Sequence, residues 1–200
     1  MRLSVYQLKP RFQQLLQPVL RRLARWGISP NQLTLVTTGL MLLYGGALTL
    51  SPGTGALWVG LPLVLLVRMA LNALDGMLAN ATGQKTRLGA VLNELCDQLS
   101  DAALYLPFAF APGVHADLLV LVVLAASWVE FTGLAALTVG TARRFDGPMG
   151  KSDRAVAFGL LGLLVGYAAS PSWSNGLLLV VLVLLGWTLS NRLRAAVRGT

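Results

Sequence analysis

The sequence has few acidic residues, one cysteine and one histidine. Eight Asp and Glu residues stand against sixteen Lys and Arg residues, which gives a formal net charge of +8. Because Cys96 is the single cysteine, no disulfide bond can form within the chain. Sites for zinc or haem, which prefer sulfur and imidazole ligands, are therefore not indicated.

Charged residues of both signs are also scarce. They make up 12% of the chain, whereas 55% of the residues are hydrophobic and the mean hydropathy is +0.66. A soluble protein of this composition would have more apolar surface than its interior could hide. The composition therefore excludes a water-soluble globular domain and predicts an integral membrane protein.

Six apolar stretches are candidates to cross the bilayer, whose core requires roughly 20 apolar residues per helix. They cover residues 32–50, 55–79, 88–111, 116–140, 154–170 and 176–192. They take up most of the chain. The sequence thus predicts an all-α fold with a single membrane domain over 1–200, in which a six-transmembrane-helix bundle occupies 28–200.

The basic residues are distributed unevenly along these stretches. Only Arg68 lies well inside a stretch. The other basic residues lie before the first stretch, at or after the end of the last stretch, around the connection between the second and third stretches, or around that between the fourth and fifth. The remaining connections carry no Lys or Arg. This asymmetry follows the positive-inside rule and predicts that both termini are cytoplasmic. It also argues against a nucleic-acid partner. The compact loops and the absence of an organelle address predict a bacterial inner membrane.

Residues 1–27 are predicted to include a cytoplasmic amphipathic helix, and this basic region does not resemble a cleaved signal peptide. Apolar residues recur there at helical spacing, with arginines between them: Leu15, Leu16, Val19, Leu20, Leu23 and Trp26. Two interpretations are open. The helix lies in the membrane interface, or it packs as a cap on the bundle.

Polar residues form a stripe on each of two neighbouring stretches. Arg68, Asn72 and Asp75 follow one another at steps of four and three, and Asn93, Asp97 and Asp101 at steps of four, with Glu94 nearby. Such spacings place residues on one helix face. Ionisable residues inside a membrane are costly and are by default functional. The alternative is that they lock two helices together by hydrogen bonds.

Oxygen ligands from two helices, surrounded by basic residues, favour Mg²⁺ or Mn²⁺ holding a phosphate. His115 lies far from these stripes and is expected in an exposed loop. Glu130 is an isolated acid in the fourth stretch; it either pairs with a neighbouring helix or lines a cavity.

The stripes belong to a longer motif. Residues 72–80 read Asn-Ala-Leu-Asp-Gly-Met-Leu-Ala-Asn, and after eight residues 89–97 read Gly-Ala-Val-Leu-Asn-Glu-Leu-Cys-Asp. This resembles the signature of the CDP-alcohol phosphotransferase (CDP-alcohol phosphatidyltransferase) family, D-x-x-D-G-x-x-A-R followed by G-x-x-x-D-x-x-x-D. Residues 28–34 resemble the family's usual opening. Asn72 and Asn93 replace the first and third aspartates, and Asn80 replaces the arginine.

The resemblance implies that a phosphatidyl group passes from CDP-diacylglycerol to a small alcohol, with or without a phosphate, and that CMP is released. It assigns one or two Mg²⁺ or Mn²⁺ ions to Asn72, Asp75, Asn93 and Asp97, with Glu94 and Asp101 as candidates to restore the missing charge. Asp97 is the implied general base. The implied CDP-binding residues are Asn72, Asp75, Gly76, Ala79, Asn80 and Gly89, and those for an acceptor phosphate are Arg68, Arg143, Arg144, Lys151 and Arg154. Relatives of this kind are homodimers.

Two other functions compete with this one. The loss of two aspartates favours a non-catalytic relative that binds nucleotide-lipid or a protein partner. A small-solute transporter is a weaker candidate, because transporters place polar groups near the bilayer midplane, whereas these lie towards the predicted cytoplasmic end.

Overall fold

The fold is built of helices joined by short connections. The structure is a computed structural model and describes residues 9–53 and 55–198. Its helices are α1 (Lys9–Arg25), α2 (Pro30–Leu50), α3 (Ala56–Thr82), α4 (Arg87–Tyr105), α5 (Ala116–Ala135), α6 (Lys151–Gly166) and α7 (Pro171–Arg198). Short 3₁₀ segments, Leu106–Phe110 and Ala136–Val139, follow α4 and α5. The described residues contain no strand, so the predicted all-α class is confirmed.

Four of the described helices are long and apolar enough to cross a bilayer. They are α2, α3, α5 with its 3₁₀ extension, and α7. By contrast, α4 carries the polar stripe of the third stretch, and α6 has only 16 residues. The membrane class of the protein is thus supported, whereas the number of six spans stays a prediction.

The helix boundaries differ from those of the predicted stretches at several points; α7, for example, covers Pro171–Arg198 rather than residues 176–192. The third stretch was expected to be one helix to residue 111, but α4 ends at Tyr105 and a 3₁₀ turn containing Pro107 follows. Proline lacks the N–H that a continuing α-helix needs. The fifth stretch was expected to begin at residue 154, but α6 begins at Lys151, since the Asp153 carboxylate accepts a hydrogen bond from the Gly150 N–H at 3.0 Å and caps the first turn.

The loops that join consecutive helices from α2 to α7 lie alternately at the two ends of the bundle. At one end, the Asn175 side chain bonds to the backbone of His115 and of Gly113, at 2.9 and 2.8 Å. His115 is exposed there, as predicted. At the other end, the starts of α2, α4 and α6 meet the ends of α3, α5 and α7. We call this second end the basic end, because it carries most of the Lys and Arg residues.

At the basic end, α1 packs against the bundle. A small apolar cluster joins its side chains to α2 and α3: Leu16, Leu20, Leu23, Leu33, Leu74 and Leu78. Leu15 and Trp26 point away from this cluster and are 76% and 72% exposed. The packing supports the interpretation of α1 as a cap, while a location in the membrane interface stays a prediction. Residues 1–8 of the predicted segment, with Arg2, lie outside the described residues.

The main core lies between α2, α3, α4, α5, α6 and α7. Trp58, Tyr105, Phe108 and Phe158 are its large members; the rings of Tyr105 and Phe158 stack at 3.7 Å between centroids. Gly162 on α6 lies so close to Trp58 and Leu61 that a side chain there would meet them at about 3.0 Å. Glycine at this position therefore permits the close approach of α3 and α6.

The surface and the interior have the opposite polarity from those of a soluble protein. Leucines such as Leu43 and Leu63 are 74% and 65% exposed, whereas Arg68, Arg154 and Arg192 are at most 2% exposed. Exposed apolar side chains suit lipid, and the three buried arginines face the interior of the bundle, as expected of a membrane protein.

Candidate active site at the basic end

The polar faces of α3 and α4 contact each other directly. The side-chain amide of Asn72 donates a hydrogen bond to Oδ1 of Asp97 at 2.6 Å. One turn away, Nη2 of Arg68 donates to the backbone carbonyl of Asp97 at 3.0 Å. The two stripes that the sequence predicted on neighbouring helices therefore meet around Asp97.

Helix α2 contributes to the site through Thr34. Its hydroxyl donates to Oδ2 of Asp75 at 3.1 Å, and both side chains are buried. The carboxylate of Asp75 is close enough to Asp97 and Lys151 for their charges to interact. Thr34 was missed as a site residue, although it ends the 28–34 motif; the signal was a hydroxyl in the polar first turns of a helix whose remainder is largely apolar.

Residues around the connection between α3 and α4 form an open margin of the site. Gly76 is exposed, and nothing lies within 4 Å of the place where a side chain would begin. The Asn80 amide donates to the Gly76 carbonyl at 2.8 Å, and Ala79 is half-buried between them. A side chain at Gly89 would meet the Asn31 Oδ1 atom at 2.7 Å, so it would require the Asn31 side chain to move. These four predicted CDP-binding positions are thus gathered at the basic end.

The five basic residues predicted to bind an acceptor phosphate all contact carboxylates. Lys151 pairs with Asp97, Arg143 with Glu94 and Glu130, Arg144 with Asp146, Arg154 with Asp101 and Glu130, and Arg68 with Asp101 and Asp97. Arg68 and Arg154 are 1% and 0% exposed, whereas the side chains of Arg143 and Lys151 are 29% and 31% exposed. Of this group, Arg143 and Lys151 are the more accessible.

Glu130 is the centre of an ion-pair cluster that joins α5, α6 and α7. It lies 2.9 Å from Arg154 and 3.4 Å from Arg192. Of the two possibilities open for this acid, the structure supports pairing. Arg192 was missed, because it was counted only among the C-terminal basic residues. Its spacing from the buried Leu185 and Thr188 of α7 could have identified it as inward-facing.

The connection between α5 and α6 is a loop held in place by hydrogen bonds to neighbouring helices. The Arg144 N–H bonds to the Gly133 carbonyl at 3.1 Å, and the Met149 N–H to the Thr188 hydroxyl at 3.0 Å. Gly147 has φ +118 and lies directly against Thr188, which leaves no room for a side chain. The loop is therefore fixed to α5 and α7, and it positions Arg143 beside α4.

The donor set does not fit two divalent cations held by four carboxylates. Asp101 contacts two arginines and Glu94 contacts Arg143, so neither joins Asp75 and Asp97. Over residues 9–53 and 55–198, no three acidic, histidine or cysteine side chains are arranged to hold a metal ion. Asp75 and Asp97, supplemented by the amide oxygen of Asn72 or Asn93, offer hard oxygen ligands that suit a single Mg²⁺ or Mn²⁺.

Comparison with known proteins decides the family. The model of the CDP-alcohol phosphatidyltransferase family matches residues 27–190, which include the whole of both polar faces. The chain belongs to this family. The membership inferred from the spacing of residues 72–97 is thereby confirmed.

Named relatives within the CDP-alcohol phosphatidyltransferase family cover most of the chain. Inner membrane protein YnbA of Escherichia coli (strain K12) is 47% identical over 194 residues, which are 96% of each chain. Archaetidylinositol phosphate synthase of Pyrococcus horikoshii is 32% identical over 144 residues, which are 68% of this chain and 74% of the relative.

Two solved structures of Mycobacterium tuberculosis phosphatidylinositol phosphate synthase have the same fold. One is a complex with manganese and citrate, with a TM-score of 0.74, 20% identity, and 90% of this chain and 87% of that chain covered. The other has CDP-DAG bound, with a TM-score of 0.75, 19% identity, and 92% and 94% covered. At this level of identity the likeness shows the fold of a CDP-alcohol phosphatidyltransferase.

Proposed function

We propose that this protein transfers a phosphatidyl group from CDP-diacylglycerol to a small alcohol in phospholipid biosynthesis, in a bacterial inner membrane, and releases CMP. The observation that carries the proposal is that Asp75 of α3 and Asp97 of α4 lie at the same end of the bundle, close enough for their charges to interact. Two acids of the family signature would thus act on one lipid-linked nucleotide that enters from the bilayer.

The nucleotide would bind along the open margin of the site. Gly76 and Gly89 carry no side chain, so a flat base or a phosphate can approach the backbone there. Asn80 lies beside Gly76 and offers amide hydrogen bonds. A solved relative, the mycobacterial synthase, has CDP-DAG bound in its structure, which supports the same class of donor for this chain.

Asp97 would accept the proton of the attacking hydroxyl. The alcohol oxygen forms a new bond to the lipid-linked phosphorus, the bond between that phosphorus and the bridging oxygen breaks, and CMP leaves with the bridging oxygen. Asn72 and Arg68 hold Asp97 through its carboxylate and its backbone carbonyl, so the base is fixed in one orientation. A positioned base of this kind contributes about 10²–10⁴-fold to a rate.

The phosphates also require positive charge. One Mg²⁺ or Mn²⁺ held by Asp75 and Asp97, with an amide oxygen from Asn72 or Asn93, would neutralise charge on the diphosphate when bound. The ammonium of Lys151 contacts Asp97 and supplies a further positive charge on the same side. The manganese in a structure of the mycobacterial synthase supports a divalent ion of this kind.

The test is CMP release from CDP-diacylglycerol by purified protein with Mg²⁺ or Mn²⁺, across a panel of alcohols. Asp97→Asn should lower kcat by about 10²-fold or more, because the base is removed while the side-chain shape is kept. Asp117→Asn is the matched control: Asp117 is exposed at the opposite end of the bundle, and its variant should keep the wild-type rate. An Asp97→Asn variant that retained more than a tenth of the activity would contradict the assignment of the base.

A second candidate, a non-catalytic relative, is favoured by one observation. Asn72 and Asn93 remove two negative charges, and the Asn72 amide donates to Asp97 where a carboxylate would repel it. If no alcohol supports CMP release, metal-dependent binding of CDP would favour this candidate. The double variant Asn72→Asp with Asn93→Asp tests how the site has changed. If the site has decayed from the family pattern, the double variant should gain activity; if the site has been rearranged, the double variant should lose activity.

Assembly as a homodimer is a further proposal, to be tested by the mass of the detergent-solubilised protein.

A further inference from the structure

The contact between Arg143 and Glu94 occupies a phosphate-binding group. Both terminal nitrogens of the Arg143 guanidinium face the Glu94 carboxylate, with Nη1 against Oε1 and Nη2 3.0 Å from Oε2. This is the two-pronged geometry in which arginine binds either a carboxylate or a phosphate. A phosphate on the acceptor would therefore have to displace Glu94 from the same two nitrogens.

The contact is located where the acceptor would arrive. Glu94 is the residue after Asn93 on α4, three residues before Asp97, and faces the loop that carries Arg143. The two side chains are 24% and 29% exposed, so a solute can reach them, unlike the buried Arg68 and Arg154. The family signature leaves the position of Glu94 unspecified, so this carboxylate is not one of the signature acids.

The other cations of the site are also occupied by acids. Six cations contact five acids; the cations are Arg68, Arg143, Arg144, Lys151, Arg154 and Arg192, and the acids are Glu94, Asp97, Asp101, Glu130 and Asp146. Each of these cations has at least one carboxylate partner. A phosphate monoester carries a charge of about −1.5 to −2 at neutral pH, and this charge would find its partners already neutralised.

We propose that the acceptor is an alcohol without a phosphate group, such as a neutral polyol, and that Glu94 sets this specificity by occupying Arg143. The inference rests on the proposed transfer reaction and names the class of its second substrate. Glu94 acts here as a specificity-determining residue. It excludes phosphorylated alcohols because its negative charge repels their phosphate and because it already binds the Arg143 guanidinium that the phosphate would need.

The first test compares matched acceptors with the wild-type protein in lipid nanodiscs that contain CDP-diacylglycerol. Glycerol is paired with glycerol 3-phosphate, and inositol with inositol phosphate. The unphosphorylated member of the productive pair should have the higher kcat/KM. A higher kcat/KM for the phosphorylated member would overturn the inference without any variant being made.

The second test measures the selectivity ratio, kcat/KM for the phosphorylated acceptor divided by that for the neutral one. Glu94→Gln should raise this ratio at least about tenfold, because a charge-assisted bond to Arg143 becomes available to the phosphate. Asp117→Asn is the control: it changes the net charge equally but lies at the opposite end, so its ratio should match that of the wild type. An unchanged ratio in Glu94→Gln would contradict the role of Glu94.

A third test needs no turnover and separates this inference from the reaction itself. Equilibrium dialysis with radiolabelled glycerol 3-phosphate should show at least about tenfold tighter binding to Glu94→Gln than to the wild type. Adding Arg143→Gln should remove the gain. Equal binding by the wild type and Glu94→Gln would overturn the inference. If no acceptor supports CMP release but the binding difference is found, the proposed reaction fails and the assignment of Glu94 stands.

Discussion

Replacing Arg154 by methionine should destabilise the bundle strongly. Arg154 is 0% exposed, and its two terminal nitrogens lie 3.1 Å from Asp101 and 2.9 Å from Glu130, so that it links α6 to α4 and α5. Removing one partner of a buried ion pair costs about 3–5 kcal/mol, because the remaining charge is left uncompensated. Arg68 still contacts Asp101 and Arg192 still contacts Glu130. We therefore expect the lower end of this range, about 3 kcal/mol.

The free energy of unfolding can be measured by titrating SDS into mixed detergent micelles and following tryptophan fluorescence. Arg194→Met is the matched control, because Arg194 is exposed on α7 near the same end of the bundle; its variant should change the free energy by no more than about 0.5 kcal/mol. A loss below about 1 kcal/mol for Arg154→Met would refute the reasoning, since the charges of Asp101 and Glu130 would then be neutralised without Arg154.

Two further variants test the packing and capping of α2 by the same unfolding measurement. Gly45→Ala should lower the free energy of unfolding by about 1–3 kcal/mol, because a side chain there would meet the Ala103 carbonyl oxygen of α4 at 2.1 Å. Gly46 faces open space, so Gly46→Ala should not destabilise the protein. Equal effects of the two variants would contradict the close approach of α2 and α4. Ser29→Ala should cost about 1 kcal/mol by removing the cap on the Gln32 N–H, whereas Ser29→Asp should keep it.

The periodicity of the sequence predicted which helix faces form the site, but it could not predict which other helices these faces contact. The four- and three-residue steps of Arg68, Asn72 and Asp75 were enough to predict one polar face on α3, because helical spacing depends only on local sequence. The contact of Asn72 with Asp97 followed from the short connection between α3 and α4. The role of Thr34 on α2 did not follow, because nothing in the order of the residues fixes which side of α3 faces α2.

The ion pairs show more clearly that contacts between distant residues could not be predicted from the sequence. Glu94 and Arg143 are separated by 49 residues, and their contact depends on a loop fixed to α5 and α7 by backbone hydrogen bonds. Nothing in the sequence spacing indicates where this loop would place Arg143. Glu130 could likewise be recognised as an unusual acid within an apolar stretch, but its partners Arg154 and Arg192 come from two helices whose packing the sequence does not reveal.

The balance of charge inside the bundle links its stability to its choice of substrates. Six charged side chains are buried among the described residues, three arginines and three acids. An unpaired charge at the centre of a membrane helix costs on the order of 2.5–3.5 kcal/mol, so six of them would exceed the whole stability of about 5–15 kcal/mol that is typical of proteins. The fold therefore requires that its buried charges be compensated by partners. A site built in this way accepts a new charge only with its counter-charge: a diphosphate can enter together with a divalent cation, whereas a lone phosphate on the acceptor has to break a pair such as Arg143 with Glu94.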